Sequence, residues 1–264
     1  MVYMRTCARL TDTGSRLRNI SPARALIAIM LRQKAILSVF LLSLGVNCVF
    51  LLLSLDLLVL PALLLGWYLA DLASGLVHMY MDYRPCPPGK RLNDLFFYEG
   101  SRASEEYQSM FRERMASINA FERVVYDFKN HHPRPNALGR RNLWRLIGST
   151  VIVAALPVSL LLNVAAFMWP VPGWAIAFCV AFLVGGAFAQ YFHGSLHRDS
   201  NPWIVRWMRG IRLLMTPEAH QLHHDTLRRD FSTNCGWSNP LVNRLFRTLR
   251  QRGYLEDAGL VPSS

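Results

Sequence analysis

Twenty consecutive residues, Ala35 to Ser54, carry no charge, and a helix needs about 20 apolar residues to cross a hydrocarbon core. Three further runs have the same character. Leu57 to Met81 is interrupted only by Asp71, with Pro61 near its start, and two more runs, Leu146 to Trp169 and Trp174 to Phe192, are joined by the short turn Pro170-Val171-Pro172-Gly173. Four spans arranged as two hairpins follow. Of the 29 Lys and Arg residues, seven precede the first run, twelve fall between Asp82 and Arg145, and ten follow His193, while the two hairpin turns hold none. The positive-inside rule then puts both termini and the 82–145 segment in the cytosol, in a bacterial inner membrane or the endoplasmic reticulum. Four buried helices of a water-soluble protein would not segregate charge in this way.

The expected organisation is a basic cytosolic tail over residues 1–34, a membrane domain over 35–252 and a C-terminal tail over 253–264. The spans are placed at about 35–54, 57–81, 146–169 and 174–192. The fold class is all-α: a membrane protein whose four transmembrane helices carry a cytosolic helical cap with a histidine-rich metal site. The first 34 residues lack a short apolar core before a small-residue cleavage site, so they read as a tail and not as a cleaved signal. The net charge of +12 accompanies no nucleic-acid-binding motif, and an anionic membrane surface accounts for it. Five scattered cysteines without a C-x-x-C pair exclude a disulfide framework and a zinc-thiolate site.

All eight histidines fall into four clusters: His78, then His131-His132, then His193-x-x-x-His197, then His220-x-x-His223-His224. In a helix, offsets of three and four put His220 on one face with His223 and His224. A lone histidine is ordinarily a hydrogen-bonded structural residue. Here His78 ends the second span, His193 and His197 end the fourth, and the remainder lie in cytosolic segments, so all four clusters can meet at one face of the membrane.

Eight imidazoles without a thiolate suit iron, copper or zinc. A single zinc needs three or four ligands, so eight point to two metals, and a pair of iron ions activating dioxygen at a membrane surface is the natural reading. Asp71, Asp82, Asp225 and Asp230 stand near the histidines and are candidate acceptors for their second ring nitrogens. Asp71 sits about two turns into the membrane from His78, where an unpaired carboxylate is costly; it reads as such an acceptor or as a ligand, ahead of the alternative of a helix-helix contact. Ser104 is placed to cap a helix whose apolar positions from Tyr107 to Phe128 recur at helical spacing and deliver His131 and His132. Past Asn201-Pro202, a helix to Met215 puts Arg206, Arg209 and Arg212 on one side and Ile204, Trp207, Ile211 and Leu214 on the other, an arrangement for the lipid interface. The Asn239-Pro240 segment repeats it, with ordinary packing an equal reading.

Asp71-x-x-Ser-Gly-x-x-His78-x-x-x-Asp82, His131-His132-x-x-Pro135-x-x-Leu138, His193-x-x-x-His197, His220-x-x-His223-His224 and Gly236-Trp237-x-Asn239 together resemble the plasmanylethanolamine desaturase (Kua-type) lipid desaturases, over roughly residues 60–245. The resemblance implies a di-iron centre held by the eight histidines, a four-span fold, a lipid substrate, dioxygen as co-substrate and electrons from a separate carrier of the cytochrome b5 or ferredoxin type. Its rivals are a membrane hydroxylase with the same metal chemistry and a non-enzymatic metal-handling protein. A transport path would place ligands through the midplane, whereas these histidines gather at one face.

Overall fold

A computed structural model describes residues 21–255. The basic residues Arg5, Arg9, Arg16 and Arg18 and the segment after residue 255 lie outside them. Among the described residues the secondary structure is all helical. Four helices among the described residues are long and apolar enough to cross a membrane, the arrangement of a multi-pass membrane protein. They are α1 (Pro22–Leu53), α2 (Val59–Tyr83), the third span, and the fourth; α3 (Asn93–Phe96), α4 (Glu105–Ala116), α5 (Ala120–Lys129) and α6 (Pro135–Gly139) lie between the hairpins. The third span is α7 (Leu143–Thr150), continued through a π-helical segment at Val151–Ala155 into α8 (Leu156–Met168), and the fourth is α9 (Gly173–Leu196). Three further helices complete the described residues: α10 (Trp203–Gly210), α11 (Pro217–Thr226) and α12 (Asn239–Gln251).

The first helix starts well before the uncharged run. Ser21 caps it by accepting from the Arg24 amide, and Pro22 takes the first helical position, where its missing N–H is no loss. At the opposite end of the bundle the two hairpin turns meet. Asp56 Oδ1 accepts from the Leu58 amide at 2.8 Å, and Oδ2 from the Trp174 amide at 3.1 Å, so one carboxylate serves the starts of both α2 and α9.

The helices are held by contacts suited to lipid, in which apolar surface gains little by turning inward. Along α1 and α8, Ser43 Oγ and Ser159 Oγ lie 2.7 Å apart, Asn47 Nδ2 donates to the Ser159 carbonyl at 3.2 Å, and Asn163 Nδ2 donates to Ser43 Oγ at 2.8 Å. The most extensive helix pair is α2 with α9, brought close by small residues: a Cβ at Gly66 would stand 2.4 Å from the Phe178 carbonyl oxygen. This pair carries His78 and His193, so its spacing sets the spacing of the site.

Two expectations about the cap are corrected. The run from Tyr107 to Phe128 is two helices, because Asn119 opens a new one: its side chain accepts from the Glu122 amide while Glu122 reaches back to the Asn119 amide, a reciprocal cap that competes with continuation. Ser104 does cap the first of them, accepting from the Tyr107 amide at 3.2 Å. The helix after Pro202 ends at Gly210 and not at Met215, and Arg212 adopts φ 61°. Trp203, Ile204 and Trp207 in the helix and Ile211 just past it are exposed, while Leu214 is buried. Arg206 is exposed, but Arg209 turns inward, with Nε donating to the Met215 carbonyl and Nη2 to Ser195 Oγ. It holds the turn before α11 and is removed from the lipid-facing set. For α12 the packing reading holds, since Val242 and Phe246 are buried against Met79, Tyr83 and Phe231.

Gly66→Val must push α2 and α9 apart. We expect a loss of about 1–3 kcal/mol, the usual cost of overpacking, read as a lower unfolding midpoint in detergent, with an unchanged midpoint contradicting the close approach.

Candidate metal centre

The eight histidines converge at one end of the bundle, each delivered by an element with its own local reason to form. His78 and Asp82 are four residues apart near the end of α2, and His193 lies one turn before His197 at the end of α9. His131 and His132 follow α5 in a tight turn, their amides donating to the Phe128 and Lys129 carbonyls. Thr216 caps α11 by accepting from the Ala219 amide, Pro217 starts it, and Leu227 ends it at φ 53°.

The ligand atoms form two adjoining groups. His131, His193, His197, His220 and His224 make one, and His78, Asp82, His132 and His223 the other, with the atoms of each group within 4.8 Å of one another. Helical geometry does the sorting on α11: His220 and His224, four apart, join the first group, and His223 turns into the second. The neighbours His131 and His132 divide in the same way, with ring centroids 4.0 Å apart. All of these residues are buried except His197, which is partly open.

In the first group, His220 Nε2 lies 3.1 Å from His193 Nε2, 3.2 Å from His197 Nε2 and 3.1 Å from His224 Nε2. A neutral imidazole nitrogen has either one proton or one lone pair, so no placement of protons satisfies three such neighbours. A cation does. Nitrogens about 2.0–2.1 Å from a common ion stand roughly 3.0–3.4 Å apart, depending on the angle between them. In the second group, Asp82 Oδ2 is 3.3 Å from His78 Nε2 and 3.2 Å from His223 Nε2, and Oδ1 is 2.9 Å from His132 Nε2. His78 Nε2, His223 Nε2 and Asp82 Oδ2 are buried without a hydrogen-bond partner. Such atoms are expensive in a protein interior, and a shared cation would satisfy all three.

Three of the other ring nitrogens are already fixed. His78 Nδ1 faces the Phe231 carbonyl at 2.9 Å, His223 Nδ1 the Arg229 carbonyl at 2.8 Å, and His131 Nδ1 the Phe128 carbonyl. A carbonyl only accepts, so each Nδ1 carries the proton and each Nε2 is left as a lone-pair donor. Burial, then the neighbouring histidines, holds His131, His220 and His224 well below the ordinary imidazole range. Burial also lowers His132, against the pull of Asp82, and takes His197 to about 4. They are neutral at pH 7, as ligation requires.

The four aspartates expected as acceptors for the imidazoles part company. Asp82 lies among the ligand atoms themselves. Asp71 Oδ1 accepts from the Cys235 and Gly236 amides at 2.8 and 3.0 Å, and Oδ2 from the Ser238 amide and hydroxyl at 3.0 and 2.7 Å. It therefore holds a loop and not a histidine, a correction of its expected role. Asp225 is exposed and takes a bond from Gln221, because one residue beyond His224 the helix has turned by about 100°. Asp230 is bonded to Arg229 and Asn243 at φ 61° and ties the loop to α12. The acceptors that the imidazoles do use are main-chain carbonyls of residues 128, 229 and 231. The sequence carries no signal for them, because every residue has a main-chain carbonyl whatever its side chain.

Two outcomes follow. Asp82→Ala removes an anionic member of the second group and should weaken metal retention by at least about 10- to 100-fold, the range for losing even an outer partner; elemental analysis of detergent-purified protein after chelator dialysis checks it. The second concerns pH. Histidines lowered in the folded state and near 6.5 when unfolded bind more protons unfolded, so the metal-free protein loses stability as pH falls below about 6.5, read as a falling thermal midpoint.

Residues 116–252, just over half of the chain, match the lipid desaturase domain family. A plasmanylethanolamine desaturase from Myxococcus xanthus is 26% identical over 213 residues, covering 78% of this chain. The chain spans 63% of the length of that relative. No solved structure matches it.

Proposed function

Because the chain belongs to the lipid desaturase domain family, we propose that it is an oxygen-dependent oxidoreductase that introduces a carbon-carbon double bond into a membrane lipid. The observation that carries this reading is the pair of adjoining histidine groups at one end of four apolar spans. The proposed occupants are two iron ions, one held by His131, His193, His197, His220 and His224, the other by His78, Asp82, His132 and His223. Bound there, they would supply the dioxygen chemistry that ordinary side chains cannot.

The protein's own part is to orient and to exclude. The carbonyls of Phe128, Arg229 and Phe231 lock three imidazoles with Nε2 facing inward, and the Phe128 and Phe231 rings stand against His78, the latter also 4.9 Å from His223. Water is kept from most of the site by this wall, while His197 leaves one side partly open. In this reading both termini face the cytosol and a separate electron carrier of the cytochrome b5 or ferredoxin type approaches from that side. The substrate is a plasmanyl ether lipid, as the name of the Myxococcus relative suggests, or a phospholipid acyl chain. Chain positions near the head group are favoured because the site stands at the ends of α2 and α9.

Mass spectrometry of lipids from cells with and without the gene tests the reaction: a species lacking two hydrogens should appear with the wild-type chain and disappear with His223→Ala. A product that instead gains an oxygen atom would make the protein a hydroxylase. Wild-type turnover by His223→Ala would remove α11 from the centre of the site.

A further inference from the structure

Two cavities flank the metal centre on one face of α9. Above it, a polar cavity of about 280 Å³ is lined by Asn136, Arg140, His197, Arg198 and Asp199 among others. Two guanidinium groups against one carboxylate leave its lining positive, and His197 belongs both to this lining and to the five-histidine group. Below the centre, between α9 and the third span, an apolar cavity of about 220 Å³ is lined by Ala154, Val158, Cys179, Phe182 and Gly186 among others. It lies where α7 passes through its π-helical turn into α8, an irregularity frequent at functional sites.

The two are aligned. At about 100° per residue, Cys179, Phe182 and Gly186 stand within roughly 40° of His193 around α9, and His197 lies within the same sector. Along the axis, Gly186 is about 10 Å and Cys179 about 21 Å from His193, toward the membrane interior. Ala189 and Gln190, both partly open, occupy the turn between. The order along one face is therefore positive cavity, metal-ligating histidines, apolar cavity.

From this alignment we propose that one phospholipid binds along α9, its head-group phosphate between Arg140 and Arg198 and one hydrocarbon chain in the apolar cavity, with the chain's first carbons crossing the metal centre. This rests on the reading of the site as a lipid desaturase and adds to it where the substrate lies. Within the spans, lipid hydrocarbon is the abundant apolar ligand, and a positive cavity at the edge of the same spans matches a phosphate in charge. Arg198 is fixed by bonds from Nε to the Gly139 carbonyl and from Nη2 to the Arg141 carbonyl, a rigid post beside the exposed Arg140.

Gly186 offers a clean probe, because a Cβ built there meets nothing within 4 Å, and a larger side chain enters the cavity without straining the backbone. Metal-loaded full-length protein in nanodiscs is irradiated with a phosphatidylethanolamine bearing a diazirine midway along one chain, or with a diacylglycerol of the same chains. The wild type should crosslink at peptides containing Cys179 and Phe182, and Gly186→Leu should lower that yield about tenfold, equivalent to about 1.4 kcal/mol, with metal content unchanged. Arg140→Gln should lower crosslinking of the phospholipid and leave that of the diacylglycerol unaltered. Crosslinks confined to outward residues such as Val153 and Phe167, or equal yields from Gly186→Leu, would overturn the chain site; an equal effect of Arg140→Gln on both lipids would overturn the phosphate site. Crosslinking in the cavity without any desaturated product from cells would leave this proposal standing and remove the desaturase reading.

Discussion

The carboxylate of Asp71 is the constraint on which the roof of the site depends. It lies inside a membrane-spanning helix, where an unsatisfied carboxylate costs about 2.5–3.5 kcal/mol on insertion scales. Four hydrogen bonds from residues 235–238 offset that cost, each of the charge-assisted kind. Gly236, at φ 76°, lets the loop turn so that successive amides point at one acceptor. The same loop reaches back through Phe231 and Arg229, whose carbonyls fix His78 and His223. A buried charge thus determines which nitrogen two imidazoles present, through a stretch of main chain that contributes no ligand of its own.

The site shows how a histidine cluster able to hold metal and membrane packing constrain each other. Imidazoles packed this closely would repel one another if charged, and burial holds His131, His132, His197, His220 and His224 neutral. Yet burial also leaves Nε2 atoms without partners, a state tolerated where an ion supplies what water otherwise would. The close approach of α2 and α9 at Gly66 serves the same end, since a wider pair would separate His78 from His193, whose rings lie 4.8 Å apart.

Much of this was legible in the sequence because membranes impose strong patterns. Uncharged runs located the four spans, and the placement of the histidines at span ends and in the segments between them anticipated their convergence. The helical spacing of His220, His223 and His224 gave their common face but not their division between two groups, which depends on how α11 is rotated against α5 and α9. Asp82 was expected to support the ligands and stands among them, while Asp71 was expected near the imidazoles and instead grips a loop more than 160 residues away. In both cases the residue type and depth were informative, and the partner was not, because long-range contacts leave no local periodicity. Arg209 misled for a related reason: a basic stripe looks alike whether a guanidinium faces lipid or donates to Ser195 and Met215.

The order in which the chain is made sets when the centre can exist. Its contributing residues run from His78 to His224, so both groups remain incomplete until the last hairpin has entered the bilayer and α11 has left the ribosome. Capture of any ion there would then be a late event in biogenesis, following insertion of the fourth span. A chain interrupted before α11 would already hold five of the eight imidazoles, at a membrane surface, with neither group closed.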